Sequence, residues 1–249
     1  MENIIIVNNL SKTFGEKKIL ENLNLIIKEN ESIVIIGPSG CGKSVFIKCV
    51  CGLILPDYGS SIIINNKEVS NKYISERKDD GIAFIFQNNA LFDSMTVKDN
   101  IIFSLKNSAK YILSKERQYH YQTESAINDF IKNKLLDVDL DPNIADLYPQ
   151  ELSGGMQKRV ALARALALSP KIIFCDEPTS GLDPLTSYKI AELMKNVHSK
   201  GKTIVSISHD PIYTKIVSDK VFYINKKTIN YCDLNQIDKI NEDFISYFI

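Results

Sequence analysis

The stretch Gly37-Pro38-Ser39-Gly40-Cys41-Gly42-Lys43-Ser44 fits the pattern G-x-x-x-x-G-K-S/T. It lies between a short apolar run, Ser32 to Ile36, and a helical run, Val45 to Cys51, that Gly52 can cap. Strand, glycine-rich turn and helix in that order leave few folds open. The glycines let backbone N–H groups turn inward around phosphate oxygens along a path that a Cβ would obstruct, and the helix N-terminus adds a favourable dipole. Lys43 is placed to neutralise β- and γ-phosphates. Ser44 offers its hydroxyl to Mg²⁺, leaving the ion its near-octahedral oxygen shell. An accidental glycine-rich turn is the plain alternative, and the flanking strand and helix argue against it.

Further apolar runs bounded by turn residues, Ile82 to Phe86, Ile172 to Cys175 and Thr203 to Ile207, read with Ser32 to Ile36 as strands buried on both faces. Helical patterns follow several of them, which indicates a parallel sheet with helices on its faces. Ile4 to Val7, and Leu23, Leu25 and Ile27 alternating with polar positions, read instead as half-buried strands. Ile62 to Ile64, then Asn65-Asn66, then Lys67 to Val69 read as a hairpin, because Asn tolerates the left-handed backbone of a tight turn. From Asn88 to Gln150 the pattern becomes polar and helical, with helices expected over Ser104 to Ser114 and Glu124 to Leu136. Lys106 to Gln122 shows little periodicity. The tail from Asn225 ends in Tyr247, Phe248 and Ile249, an ending apolar enough to pack against the core or a partner. No internal repeat is present.

Ile172 to Cys175 ends abruptly in Asp176 and Glu177. Ligands of open α/β sheets sit at the carboxyl ends of strands, so Asp176 is poised to hold magnesium and Glu177 to orient an attacking water. The competing reading makes both carboxylates caps of the next helix. His209 follows Thr203 to Ile207 at the same sheet edge, within reach of a γ-phosphate, while Asp210-Pro211 reads as an N-cap and first-turn proline. Leu152 to Met156 precedes an amphipathic helix, Gln157 to Leu168, and periodicity alone makes it a helix start capped by Ser153.

Composition narrows the classes. The 249 residues carry 30 Lys and Arg against 30 Asp and Glu, and this zero formal charge argues against a nucleic-acid partner. Hydrophobic residues make up 44% and charged residues 24%, enough to bury a core. Apolar stretches fall far below the roughly 20 residues that span a bilayer. The start Met1-Glu2-Asn3 has no secretory pattern, and five cysteines without a C-x-x-C pair suit reduced thiols. A cytoplasmic location is therefore expected.

Leu152-Ser153-Gly154-Gly155-Met156, with the following Lys158-Arg159-Val160-Ala161-Leu162-Ala163-Arg164-Ala165-Leu166, resembles the signature of the ATP-binding-cassette family. The resemblance runs from about residue 4 to 225. It implies an α/β P-loop nucleotide-binding domain with a mainly parallel core sheet, an N-terminal antiparallel β subdomain and a helical subdomain. Residues 1–88 and 150–225 would form the RecA-like core with its antiparallel part, 89–149 the helical subdomain and 226–249 a C-terminal extension. It further implies that Phe14 stacks on adenine and that the loop through Val45 holds the phosphates. Gln87 would join γ-phosphate and magnesium to a transmembrane partner, beside Ser44 and Asp176 as metal ligands. Ser180-Gly181-Leu182-Asp183 matches the D-loop and His209 the switch histidine. Lys43, Gln87, Glu177 and His209 would carry ATP hydrolysis. Two copies are expected head to tail, Ser153, Gly154 and Gly155 of one touching the γ-phosphate on the other's Lys43. A heterodimer with another cassette stays open. Met156 stands where glutamine is usual and Phe14 where tyrosine is frequent.

Family resemblance also implies integral membrane permease subunits as partners and attachment to the cytoplasmic face of the inner membrane. Phe86 to Ile101, Met156 and, loosely, the ending Glu242 to Ile249 resemble cassettes of Mla-type phospholipid transporters. That implies a lipid cargo and periplasmic or membrane-anchored lipid-binding subunits. Another small solute is the alternative. A soluble cassette acting on ribosomes or DNA would ordinarily show tandem cassettes or a long coiled coil, and neither is present.

Overall fold

The computed structural model describes residues 2–70, 81–106, 124–225 and 228–233. Two sheets carry the fold. The first has the order β2-β1-β4-β5, built from β1 (Asn3–Phe14), β2 (Lys17–Lys28), β4 (Ser61–Ile64) and β5 (Lys67–Glu68), all antiparallel. The second has the order β10-β9-β3-β8-β7-β6, built from β3 (Ser32–Ile36), β6 (Ile82–Ile85), β7 (Ile172–Asp176), β8 (Thr203–Ile207), β9 (Lys220–Asn225) and β10 (Thr228–Asp233). Its strands pair in parallel except for β9 with β10. The predicted hairpin forms, with Asn65 and Asn66 both left-handed at φ 50° and 61°.

The second sheet is buried on both faces because its residues alternate between two apolar clusters. Ile33, Ile35, Ile172, Phe174, Val205 and Ile207 face the antiparallel sheet and α1 (Lys43–Val50). Val34, Ile36, Ile173, Cys175 and Ile204 face the other side. That side is covered by α2 (Val97–Lys106), α3 (Glu124–Leu136), α4 (Gly154–Ala167), α5 (Pro184–Ser199) and α6 (Pro211–Val217). Strands read as uninterrupted apolar runs are those a parallel sheet sandwiched between layers requires.

One expected boundary moves. The helix placed over Ser104 to Ser114 begins at Val97, and residues 107–123, including most of the aperiodic Lys106 to Gln122 segment, lie outside the described residues. Thr96 starts it: its hydroxyl accepts the Asp99 N–H at 3.2 Å and donates to the Asp99 carboxylate at 2.7 Å. Val97, Ile101 and Leu105 then fall on one buried face at helical spacing. The tail beyond Asp233, with its apolar ending, also lies outside the described residues, while 228–233 add an edge strand.

Where α5 meets the sheet, His198 bridges elements distant in sequence. Its Nδ1 lies 2.9 Å from the Lys202 carbonyl and its Nε2 3.2 Å from the Asp219 carboxylate, which accepts the Ser32 N–H at 2.8 Å. The hydrogen bond with Asp219 raises the His198 pKa above its usual 6.5 against the opposing effect of burial. A raised pKa means the folded state holds this proton more tightly than the unfolded chain. The stabilisation is complete below 6.5 and is lost as pH rises through the folded value. His198→Gln should therefore lower the thermal midpoint at pH 6 and change it little at pH 9. An equal loss at both pH values would show that charge at His198 is irrelevant.

Candidate functional site

The loop after β3 wraps the N-terminus of α1 and opens on a cavity of about 580 Å³. Ser39, Gly40, Gly42, Lys43, Ser44 and Val45 line it from the loop, with Gln87, Glu177, Ser180 and His209 opposite. Gly37, at φ +150°, passes so close to β9 that a Cβ would lie 2.2 Å from the Ile224 carbonyl oxygen. Cys41 is buried, and its thiol donates to that same carbonyl at 3.3 Å. Gly37, Pro38 and Cys41 thus shape the loop from behind, while the other predicted loop residues face the cavity.

Lys43 donates to the carbonyls of Gly37 at 2.8 Å and Pro38 at 3.0 Å. Burial pushes its pKa down, while the nearby carboxylates of Glu177 and Asp176 pull it back. Ser44 donates to Asp176 Oδ1 at 3.0 Å, so two hard oxygen donors from elements 132 residues apart meet at one point. With Gln87 in the same cavity, this donor set fits Mg²⁺, which prefers one or two carboxylates plus substrate phosphates.

Glu177 is the strained residue of the site. It adopts φ +55°, a left-handed conformation costing about 1–2 kcal/mol outside glycine. Its N–H donates to the Ile207 carbonyl at 3.0 Å, which ties the end of β7 to the end of β8. Burial raises its pKa, offset by hydrogen bonding from the His209 backbone and by the charge of Lys43. His209 Nε2 lies 3.3 Å from Glu177 Oε1. Burial, then Lys43, lower the His209 pKa, which weakens the ionic character of this contact. Neither Asp176 nor Glu177 caps the next helix. Asp183 does, accepting the Thr186 N–H at 3.0 Å, and this hydrogen bonding lowers its pKa.

The signature residues lie apart from the cavity. Ser153 caps α4, its hydroxyl accepting the Met156 N–H at 3.3 Å, and both Ser153 and Gly154 are exposed. Gly155 is buried against α5, where a Cβ would meet the Thr186 methyl at 2.5 Å. Phe14 is half exposed at the end of β1, with Lys12 Nζ 5.1 Å from its ring centre. Sequence reasoning missed Ile19, which lines the cavity, and Lys158, whose buried ammonium reaches the loops behind it. Lys158 shares a helical face with Ala161, Leu162 and Ala165, all buried, and that placement was its only signal.

A phosphate loop, a serine–aspartate oxygen pair and a strand-end glutamate on one sheet edge define a nucleoside-triphosphate-binding domain. The family model for ABC transporters matches residues 20–180, and the chain belongs to that family. A sulfate/thiosulfate import ATP-binding protein, CysA, of Pseudomonas aeruginosa is 38% identical over 224 residues, covering 90% of this chain and 64% of the relative. A probable ribonucleotide transport ATP-binding protein, mkl, of Mycobacterium tuberculosis is 38% identical, covering 89% and 59%. The chain thus spans somewhat under two thirds of those relatives. A dimeric post-hydrolysis cassette bound to ADP and phosphate matches with TM-score 0.80 and 30% identity, covering 92% of this chain and 98% of that one. The chain is an ATP-binding cassette of the ATPase class, whose cofactor is Mg²⁺-ATP.

Two variants test the local physics. Because burial raises the Glu177 pKa, its contribution to stability is complete below the usual 4.5 and is lost as pH rises through the folded value. Glu177→Gln removes that loss, so the thermal midpoint should rise by about 1–3 °C at pH 7.5, with the gap closing as pH falls below 4.5. In the same variant turnover should fall at least about tenfold while ATP binding persists; near-normal turnover would remove Glu177 from water activation. Gly155→Ala should destabilise by about 1–3 kcal/mol through overpacking, and Thr186→Ser should restore part of it.

Proposed function

We propose that two copies of this chain close head to tail over two molecules of Mg²⁺-ATP. Lys43, Ser44, Gln87, Asp176, Glu177 and His209 of one copy would act with Ser153, Gly154 and Gly155 of the other. The observation that carries this reading is the one-sidedness of the site. The cavity holds a phosphate loop, Ser44 with its hydroxyl on Asp176, and a strained glutamate, whereas the exposed Ser153–Gly154 helix start does not line it. Such a helix start is an anion-binding terminus that gains a ligand when a second copy supplies one. Phe14, half exposed at the strand end, supplies a ring for the base, and Asp183 orders the turn at the edge of the cavity.

In hydrolysis, Glu177 accepts a proton from the water it aligns on the γ-phosphorus, and the His209 N–H holds the carboxylate in place. Lys43 and the loop N–H groups stabilise the charge shared by attacking and leaving oxygens; Ser44 and Asp176 would hold Mg²⁺, which would supply further neutralisation of the phosphate oxygens. Loss of the γ-phosphate removes what the two copies share, and the dimer opens.

That motion would drive integral membrane permease subunits, with residues 89–149 as the lobe that meets them, at the cytoplasmic face of the inner membrane. Among the described residues no helix is long and apolar enough to cross a membrane. For cargo we favour a lipid, on the Mla-type character of Phe86 to Ile101 and Met156, with lipid-binding subunits completing the machine. The relatives named for sulfate and ribonucleotide transport support the second reading, a small anionic solute. Extraction of the purified whole complex should yield bound phospholipid; its absence together with solute-stimulated ATPase would favour the second.

A mixing experiment tests the shared site. Lys43→Ala and Ser153→Arg should each abolish turnover alone. Combined, they should regain activity, because mixed dimers keep one site with an intact loop and an intact clamp. No recovery despite proven mixed dimers would reject the scheme.

A further inference from the structure

We propose that Lys158 is a positioning residue for hydrolysis, fastening the helix that serves one nucleotide to the loops that serve the other. The proposal rests on the shared-site reading above. Lys158 lies one turn into α4, behind Ser153 and Gly154, and is 6% exposed. Its ammonium donates to the Gln87 carbonyl at 2.7 Å and reaches the Glu177 carbonyl at 3.5 Å and Ser180 Oγ at 3.4 Å. Ser180 Oγ itself donates to the Glu177 carbonyl at 3.0 Å. One cation therefore ties together two segments of its own site, the one after β6 and the one that joins β7 to α5.

A buried ammonium is costly unless its donors are satisfied, so this placement is tolerated only while those two segments stand as they do. The same helix grips the loop further on. Arg164 donates to the carbonyls of Ala90 at 2.7 Å and Asn89 at 3.0 Å. Asn89 and Ala90 are both left-handed, at φ 60° and 49°, a conformation an alanine does not adopt unaided. Lys158 and Arg164, less than two turns apart on the same helix, thus hold this loop at the carbonyls of Gln87, Asn89 and Ala90.

The functional consequence is directional. When Ser153 and Gly154 engage a phosphate on the partner copy, α4 is pulled at its N-terminus. Lys158 passes that displacement to Gln87, Glu177 and Ser180, which line the cavity of its own copy. Lys158 touches no substrate; it acts through the carbonyls it holds.

The test compares the full chain, with its membrane partners where these co-purify, against Lys158→Met and Lys158→Gln. The methionine keeps length and loses all donors; the glutamine keeps an N–H. Unmutated protein should hydrolyse ATP with a Hill coefficient well above 1. Lys158→Met should lower kcat at least tenfold and bring the Hill coefficient to 1, with ATP Kd within about twofold. Lys158→Gln should recover part of both. Unchanged kcat and cooperativity in Lys158→Met would overturn the proposal. So would a loss confined to thermal midpoint and soluble yield, with folded protein still cooperative, and Lys158→Gln serves this comparison if the methionine variant does not fold. If the unmutated chain shows no cooperativity and no ATP-dependent dimer, the shared-site reading itself fails and this proposal with it.

Discussion

Parallel pairing of β3 with β8, and of β8 with β7, is the constraint on which the site depends. The register sets Ile35 opposite Ile207 and Ile207 opposite Asp176, so three strands reach their carboxyl ends at one level. Both faces of these strands are covered by apolar side chains, and the few polar ones within them are small and buried, Ser206 meeting the Tyr213 hydroxyl at 2.8 Å. Phosphate loop, aspartate, glutamate and histidine therefore emerge together at a single edge. The Glu177 N–H on the Ile207 carbonyl then bends the chain back across that edge and aims the carboxylate into the cavity.

Charge in this site is managed by partial burial. Burial raises the Glu177 pKa and lowers those of Lys43, Lys158 and His209, so each group is less charged by preference than in water. Opposite neighbours restore part of the difference. Left-handed backbone occurs throughout the described residues, and Glu177 and Ala90 bring it to the cavity and to the loop leading from it without the short, locally hydrogen-bonding side chain that lets asparagine adopt it readily.

Much of this was legible in the order of residues. The strands Ser32 to Ile36 and Thr203 to Ile207 follow from short, mainly apolar runs bounded by turn residues, and the Asn65-Asn66 hairpin from turn chemistry. The start of the helix at Val97 was harder, because Thr96 and Asp99 cap it in a stretch whose polar residues hide the period. Lys158 was hidden by its residue type: a lysine within a helix reads as solvated until the neighbours that bury it are known. Gly155 was read as a phosphate contact, and packing against Thr186 supplies a second, independent reason for its identity.

The sequence by itself determined the local elements and the kinds of chemistry available: a phosphate loop, strand-end carboxylates and a capped helix carrying a signature. Those depend on propensity, spacing and side-chain functional groups, which are properties of neighbours along the chain. Only the tertiary structure decided that Ser44 meets Asp176, that Lys158 reaches behind Glu177, and that Ser153 stands outside the cavity. Such pairings are fixed by how sheet and helices pack, and packing free energy depends on surfaces brought together from separate elements, which lie 132 residues apart for Ser44 and Asp176 and 19 apart for Lys158 and Glu177.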